Sequence, residues 1–247
     1  MQAFTIDVPQ EQPFKIFLDT GNIEDIRERY PTAMINGVTT NPTLIMKSGQ
    51  AAQKVYSDIA TEFPYLESIS AEVVADNYES MIREAVDLYT IAENITIKLP
   101  CTVEGLKACA YLSSLDNTNG KKITTNVTLV FSVAQAIMAA KAGATYISPF
   151  VGRCNDNSFS GVELVRAISN TYRVHGVRTE ILAASLRDVH HVSRCFAAGA
   201  DVVTLPPKVF DKMYDHVLTR EGLDIFQRDY DAALHQQRLA QQQDLGP

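Results

Sequence analysis

Short apolar, β-branched runs alternate with longer segments whose apolar residues recur at helical spacing. The runs are Lys15–Asp19, Gly37–Thr40, Ser68–Val74, Ile95–Leu99, Ile123–Val127, Tyr146–Pro149, Glu180–Ala184 and Asp201–Leu205, and each predicts a strand. Between them, Tyr78–Ile91 carries Met81, Ile82, Ala85, Val86 and Tyr89 in the spacing of one helical face. Asp76 stands three residues before Glu79, and Ser160 three before Glu163, a capping-box spacing that predicts two helix starts. One stretch echoes another: Ala140-Lys-Ala-Gly-Ala-Thr-Tyr-Ile-Ser148 resembles Phe196-Ala-Ala-Gly-Ala-Asp-Val-Val-Thr204. Each reads as a helix ended by a left-handed glycine, Gly143 or Gly199, and followed at once by a strand.

Eight such alternations in a chain of 247 residues predict a (β/α)8 barrel, a TIM barrel of the α/β class. A doubly wound dinucleotide fold would want a glycine-rich turn after the first strand, and Asp19-Thr20-Gly21 does not supply one. No linker or low-complexity tract interrupts residues 14–220, so the expectation is a single barrel domain. Residues 1–13 would then be an N-terminal extension and about 221–247 a C-terminal helix and tail, with Leu223–Leu245 polar and Gln-rich.

Charge narrows the partners. Lys plus Arg is 22 and Asp plus Glu is 29, a net −7 that argues against a nucleic-acid or polybasic membrane binder. A few placed cations could still hold a small anion. Met1 to Pro13 shows no leader pattern and no run is long enough to span a bilayer, so a cytoplasmic protein is expected. Cys101, Cys109, Cys154 and Cys195 are scattered and form no metal-ligand pattern with the five histidines, which reads as reduced thiols.

In such barrels chemistry gathers at the carboxyl ends of the strands. Lys98, in Ile95-Thr-Ile-Lys-Leu-Pro100, sits where its run predicts burial. Burial lowers the pKa of an ammonium and favours a neutral amine able to attack a ketone. The alternative is a lysine paired with a carboxylate or snorkelling out at the strand end. Asp19 ends Ile16-Phe-Leu-Asp and reads as a proton-transfer group or a helix cap. Glu72 lies in Ile69-Ser-Ala-Glu-Val-Val and reads as a second proton-transfer group or a salt-bridge partner. Asn126 and Thr128 follow Ile123-Thr-Thr and suit sugar hydroxyls, or loop hydrogen bonds. Ser148-Pro-Phe-Val-Gly-Arg153 and Ala184-Ser-Leu-Arg187 place Arg153 and Arg187 after later strands, suited to a phosphate or to surface salt bridges. None of His175, His190, His191, His216 and His235 falls at a predicted strand end.

Phe17-Leu-Asp-Thr20, Gly37-Val-Thr-Thr-Asn-Pro42, Ile97-Lys-Leu-Pro100, Ser148–Arg153 and Ala184–Arg187 together resemble the motifs of the transaldolase family, in order, from about Lys15 to Leu223. The resemblance implies a (β/α)8 barrel with a Schiff-base lysine on strand four, where Lys98 falls. It implies that Asp19 is the general acid/base of carbon–carbon cleavage and that Glu72 works through a water held with Thr128. Thr39, Asn41, Asn126 and Ser148 would meet the dihydroxyacetone unit, with Phe150 beside them. Arg153, Ser185 and Arg187 would bind the substrate phosphate. The implied reaction moves a dihydroxyacetone unit from sedoheptulose 7-phosphate or fructose 6-phosphate to glyceraldehyde 3-phosphate or erythrose 4-phosphate, in the pentose phosphate pathway. No metal or organic cofactor is implied.

Fructose-6-phosphate aldolases, close relatives that release free dihydroxyacetone, tend to carry Gln at the position of Glu72 and Tyr at that of Phe150. They lack the Asn-x-Thr pattern of Asn126-Val-Thr128, so all three positions here resemble transaldolases. A transaldolase for a sulfonated or unphosphorylated ketose is a further alternative, since guanidinium groups bind sulfonates as well. A non-catalytic sugar-phosphate binder would not need a buried amine. The chain is similar in length to the compact subfamily, whose members build pentamers and decamers through the C-terminal helix, which implies a homo-oligomer.

Overall fold

A computed structural model of the chain describes residues 13–116, 120 and 122–243. Most of the N-terminal extension expected at 1–13, and the end of the tail beyond 243, lie outside the described residues. The eight strands are β1 (Lys15–Asp19), β2 (Gly37–Thr39), β3 (Ser68–Glu72), β4 (Ile95–Pro100), β5 (Thr125–Val130), β6 (Tyr146–Pro149), β7 (Glu180–Ala183) and β8 (Val202–Leu205). All neighbours pair in parallel, and β1 also pairs with β8, so the sheet closes into a barrel in chain order. The (β/α)8 fold expected from the alternation is the fold observed.

The α-helices are α1 (Ile23–Arg29), α2 (Pro42–Ser48), α3 (Ala52–Glu62), α4 (Tyr78–Tyr89), α5 (Val103–Ser113) and α6 (Val133–Lys141). They continue with α7 (Val151–Asp156), α8 (Gly161–His175), α9 (Val189–Ala197), α10 (Pro207–Lys212) and α11 (Val217–Gln243). Two compact units are distinguished, one through Val209 and one from Phe210 onward. The first contains the whole barrel, and the second contains α11, which begins several residues earlier than the Gln-rich pattern suggested.

Local chemistry sets most boundaries. Ser160 caps α8 by accepting from the Glu163 amide, as its spacing predicted. At α4 the cap is Asn77, which accepts from the Ser80 amide, and Asp76 is not the capping residue. The carboxamide oxygen does the work there, one residue later than the capping-box spacing had placed it. Gly143 and Gly199 follow α6 and α9 in the left-handed region, at φ 82° and 97°. A side chain at Gly199 would also place its Cβ 2.1 Å from Ser169 Oγ, so only glycine fits that helix end.

The β5 boundary departs most from the sequence pattern. The strand runs Thr125–Val130 rather than Ile123–Val127, so Asn126 and Thr128 lie within it. Both are fully buried. Asn126 is tolerated here because the barrel interior supplies hydroxyl partners, and the same interior holds a hydroxyl chain in which Ser68 Oγ lies 2.7 Å from Thr96 Oγ1 and that atom 2.9 Å from Thr124 Oγ1. At the opposite, amino-terminal mouth, Lys15 Nζ donates to Glu67 and Glu180 at 2.7 and 2.9 Å, and the Tyr146 hydroxyl donates to Glu67 at 2.7 Å. This cluster plugs the barrel below the polar interior.

Candidate active site

Register gathers the polar residues of the strands. Asp19 pairs with Thr39, Glu72 with Lys98, and Lys98 with Asn126. Register partners in a parallel sheet project to the same face, so Glu72, Lys98 and Asn126 form one row across β3, β4 and β5.

Lys98 is 5% exposed. Its Nζ lies 2.8 Å from Glu72 Oε2 and donates to the Thr40 carbonyl oxygen at 2.9 Å. The burial expected of this lysine is observed, and so is the carboxylate partner of its alternative reading. The ion pair offsets the desolvation of both groups. Asp19 Oδ1 accepts from Thr39 Oγ1 at 2.7 Å, and Thr39 Oγ1 lies 2.6 Å from Thr204 Oγ1. Burial pushes the Asp19 carboxyl above its ordinary value; the Thr39 hydrogen bond and the Lys98 charge oppose the shift, while the Glu72 charge adds to it. Asp19, Glu72 and Lys98 thus share one electrostatic field.

The next layer orients a carboxamide. Ser148 Oγ donates to Asn126 Oδ1 at 2.7 Å, and Asn126 Nδ2 donates to Ser70 Oγ at 3.3 Å. Just beyond, the register of β5 with β6 shifts between Val127 and Val130, and Leu129 adopts φ 60°. A leucine in the left-handed region is strained, and such strain concentrates where a strand end must be re-aimed. Thr128 precedes it. Among the described residues, Thr128 Oγ1 and Glu72 Oε2 are buried polar side-chain atoms without a hydrogen-bond partner, Lys98 approaching the latter outside hydrogen-bond geometry.

The predicted anion-binding residues lie nearer the surface. Arg153 is on the short helix α7, its guanidinium carbon 4.9 Å from the centroid of the Phe150 ring. Phe150 is the residue that caps α7 and packs edge-on against Phe131. Ser185 follows β7 at φ 60°. Arg187 is engaged through both terminal nitrogens by Asp156, the ion pair anticipated as its alternative reading. Gly152 joins these segments: a Cβ there would lie 2.0 Å from the Ser185 carbonyl oxygen and 3.1 Å from Arg187 Nε. A small cavity of about 90 Å³ is lined by Gly152, Ser185, Arg187 and Asp156, among others. Asn41 stands apart, its Oδ1 accepting from the Leu44 amide as the cap of α2.

Sequence reasoning missed Ser70, Thr204, Asp156 and the pair Asp188–His191, in which Asp188 Oδ2 lies 2.7 Å from His191 Nδ1. Thr204 had a signal, because it occupies the place of Ser148 in the internal echo. Among the described residues, no three His, Cys, Asp or Glu side chains converge as a metal-ligand set.

A closed β/α barrel carrying a buried lysine among carboxylates at its strand ends is the architecture these observations define. The family model for transaldolase/fructose-6-phosphate aldolase matches residues 16–245. A probable transaldolase from Paracoccus denitrificans is 49% identical over 218 residues, covering 87% of this chain and 96% of the relative. Probable transaldolases from Sinorhizobium medicae and Agathobacter rectalis are 47% and 46% identical, covering 96% and 98% of those relatives. The chain belongs to the transaldolase/fructose-6-phosphate aldolase family. Thiamine phosphate pyrophosphorylase from Pyrococcus furiosus shares the fold, with a TM-score of 0.53 at 14% identity, over 78% of this chain and 85% of that one.

Proposed function

We propose that this chain is a transaldolase of the Schiff-base class, acting on sugar phosphates. The observation that carries this reading is the row Glu72–Lys98–Asn126, in which a buried amine sits between a carboxylate and an oriented carboxamide with Asp19 in its field. Lys98 attacks the C2 carbonyl of a ketose phosphate, and the carbinolamine loses water to give a protonated imine. Ionised Asp19 takes the proton of the C4 hydroxyl as the C3–C4 bond breaks. The bonding pair flows into the imine, leaving an enamine of dihydroxyacetone on Lys98 and releasing an aldose phosphate. An acceptor aldehyde takes up the enamine carbon, protonated Asp19 returns the proton to the new alkoxide, and water hydrolyses the imine.

Glu72 and Thr128 handle the water steps. Their two unpartnered oxygens suit a shared water, which would move protons as the carbinolamine forms and collapses. Asn126, held by Ser70 and Ser148, meets a hydroxyl of the three-carbon unit, with Thr39 at the end of β2 and Asn41 just after it. Arg153, Ser185 and Arg187 hold the phosphate. Glu72, Phe150 and the Asn126–Thr128 pair favour transfer over release of free dihydroxyacetone, the activity of the aldolase branch. Exposed apolar residues at i, i+3 and i+7 on α11, Leu223, Phe226 and Tyr230, support assembly into a homo-oligomer, a pentamer or decamer.

Borohydride added with fructose 6-phosphate tests the chemistry. The expected result is a reduced three-carbon adduct on the peptide containing Lys98, seen by mass spectrometry. An unmodified Lys98 peptide under conditions of turnover overturns the Schiff-base reading. Running the same mixture with and without erythrose 4-phosphate then separates transfer from release, and free dihydroxyacetone as the main product in both would assign the aldolase activity instead.

A further inference from the structure

A second cavity lies at the other end of the barrel from Lys98. It encloses about 720 Å³, within the range of small-molecule sites. Its walls come from the end of α6, the end of α8 and the loops that lead into β6 and β7, all on the amino-terminal mouth. A mouth that served stability alone would need only to be filled. Ile137, Ala140, Ala144 and Val177 instead leave an open apolar trough. The trough is rigid: Thr179 Oγ1 donates to the Ala144 carbonyl at 2.8 Å, tying the two loops, and the Tyr172 hydroxyl donates to the Ala136 carbonyl at 2.7 Å.

Its charge is one-sided. Lys141, His175 and Arg178 line it, and among the described residues none of the three has a hydrogen-bond or ion-pair partner. Lys141 stands in the last turn of its helix, where the helix dipole favours a cation. That accounts for one of the two cations. Arg178 follows α8 in the loop and has no such reason to be there. The one carboxylate in the wall, Glu180, is already bonded to Lys15 at 2.9 Å.

We propose that this groove is a binding site for a small organic anion with an apolar body. The body lies on Ile137, Ala140 and Val177, and the anionic head meets Arg178 and Lys141. The site is separate from the lysine chemistry and takes no part in it.

Calorimetric titration of the full-length protein with octanoate, octanol and octylammonium tests this. Octanoate should bind saturably with one site per chain. Octanol should bind at least about tenfold more weakly for want of the charge-assisted contacts, and octylammonium not at all. The Lys141→Ala/Arg178→Ala double variant should lose octanoate binding while keeping wild-type turnover. Ala140→Trp, which fills the trough and keeps both cations, should lose it too. Inorganic phosphate and fructose 6-phosphate should not compete. Any of three results overturns the proposal: no saturable octanoate binding, binding undiminished in the double variant, or displacement by fructose 6-phosphate. Sedimentation of Ala140→Trp completes the test. A smaller assembly together with absent octanoate binding in the wild type would assign the groove to contact between copies of this chain.

Discussion

Asp19 is subject to opposed influences, and their balance sets its role. Burial favours the protonated carboxyl, while the Thr39 hydroxyl and the Lys98 charge favour the carboxylate, and burial prevails. A base must be ionised to take a proton, so the acid limb of the kcat/KM profile should lie above the ordinary aspartate value of 3.8. Thr39→Val removes a hydrogen bond to the charged form and should move that limb to still higher pH. An unchanged limb would mean that another group titrates. Asp19→Asn should still be trapped by borohydride on Lys98, now chiefly as the uncleaved six-carbon imine, while cleavage falls by about 10²–10⁴-fold. The stability sign follows from the same shift. A carboxyl raised in the folded state contributes stability below its unfolded pKa and loses it as pH rises through the folded value. Asp19→Asn mimics the protonated form, so it should melt higher than wild type at neutral pH, with the gap closing in acid. Thermal scans at several pH values measure this.

At the scale of elements, strand register does most of the positioning and glycine does the rest. The loop after β6 reaches the loop after β7 only because Gly152 has no side chain, its missing Cβ falling 2.0 Å from a backbone oxygen that cannot swing away. Gly152→Ala should therefore cost about 1–3 kcal/mol in urea unfolding. It should also raise KM for a phosphorylated ketose more than it lowers kcat, since Ser185 and Arg187 move and Lys98 does not. Equal losses in kcat and KM would place the damage at the lysine instead. These elements were unequally legible in the sequence. Lys15–Asp19 and Tyr146–Pro149 have the boundaries the sequence indicates, the first because Ile16–Leu18 is apolar between Lys15 and Asp19, the second because Pro149 ends its run. The sequence pattern places β5 too far toward its amino end, since Asn126 and Thr128 look like loop residues; Asn126 finds hydroxyl partners in the interior, while Thr128 is buried with its Oγ1 unpartnered. The strand positions of Asp19, Glu72 and Lys98 were readable as polar interruptions of apolar runs. Asp156 was not, because nothing along the chain distinguishes a carboxylate that reaches Arg187 thirty-one positions away.

For the whole molecule, the net charge of −7 and the proposed anionic substrate are reconciled by placement. Acidic residues dominate the sum, whereas Arg153 stands at the strand-end rim without a carboxylate partner among the described residues. Arg187 keeps some donors free beyond its pair with Asp156. Such an arrangement suits the proposed local binding of a phosphate while the acidic surface repels polyanions at a distance. The last unit has a different logic. α11 spans 27 residues, and at about 1.5 Å per residue it is some 40 Å long. Its Leu223, Phe226 and Tyr230 are 62%, 70% and 61% exposed. A chain that exposes such a stripe on a long helix gains from covering it with another copy. Leu223→Asp together with Phe226→Asp puts two charges on that stripe, and sedimentation velocity should show the proposed homo-oligomer falling to smaller species. The barrel, whose core lies in the other unit, should keep its circular dichroism, so loss of assembly can be told apart from loss of fold. An unchanged sedimentation coefficient would remove α11 from the interface.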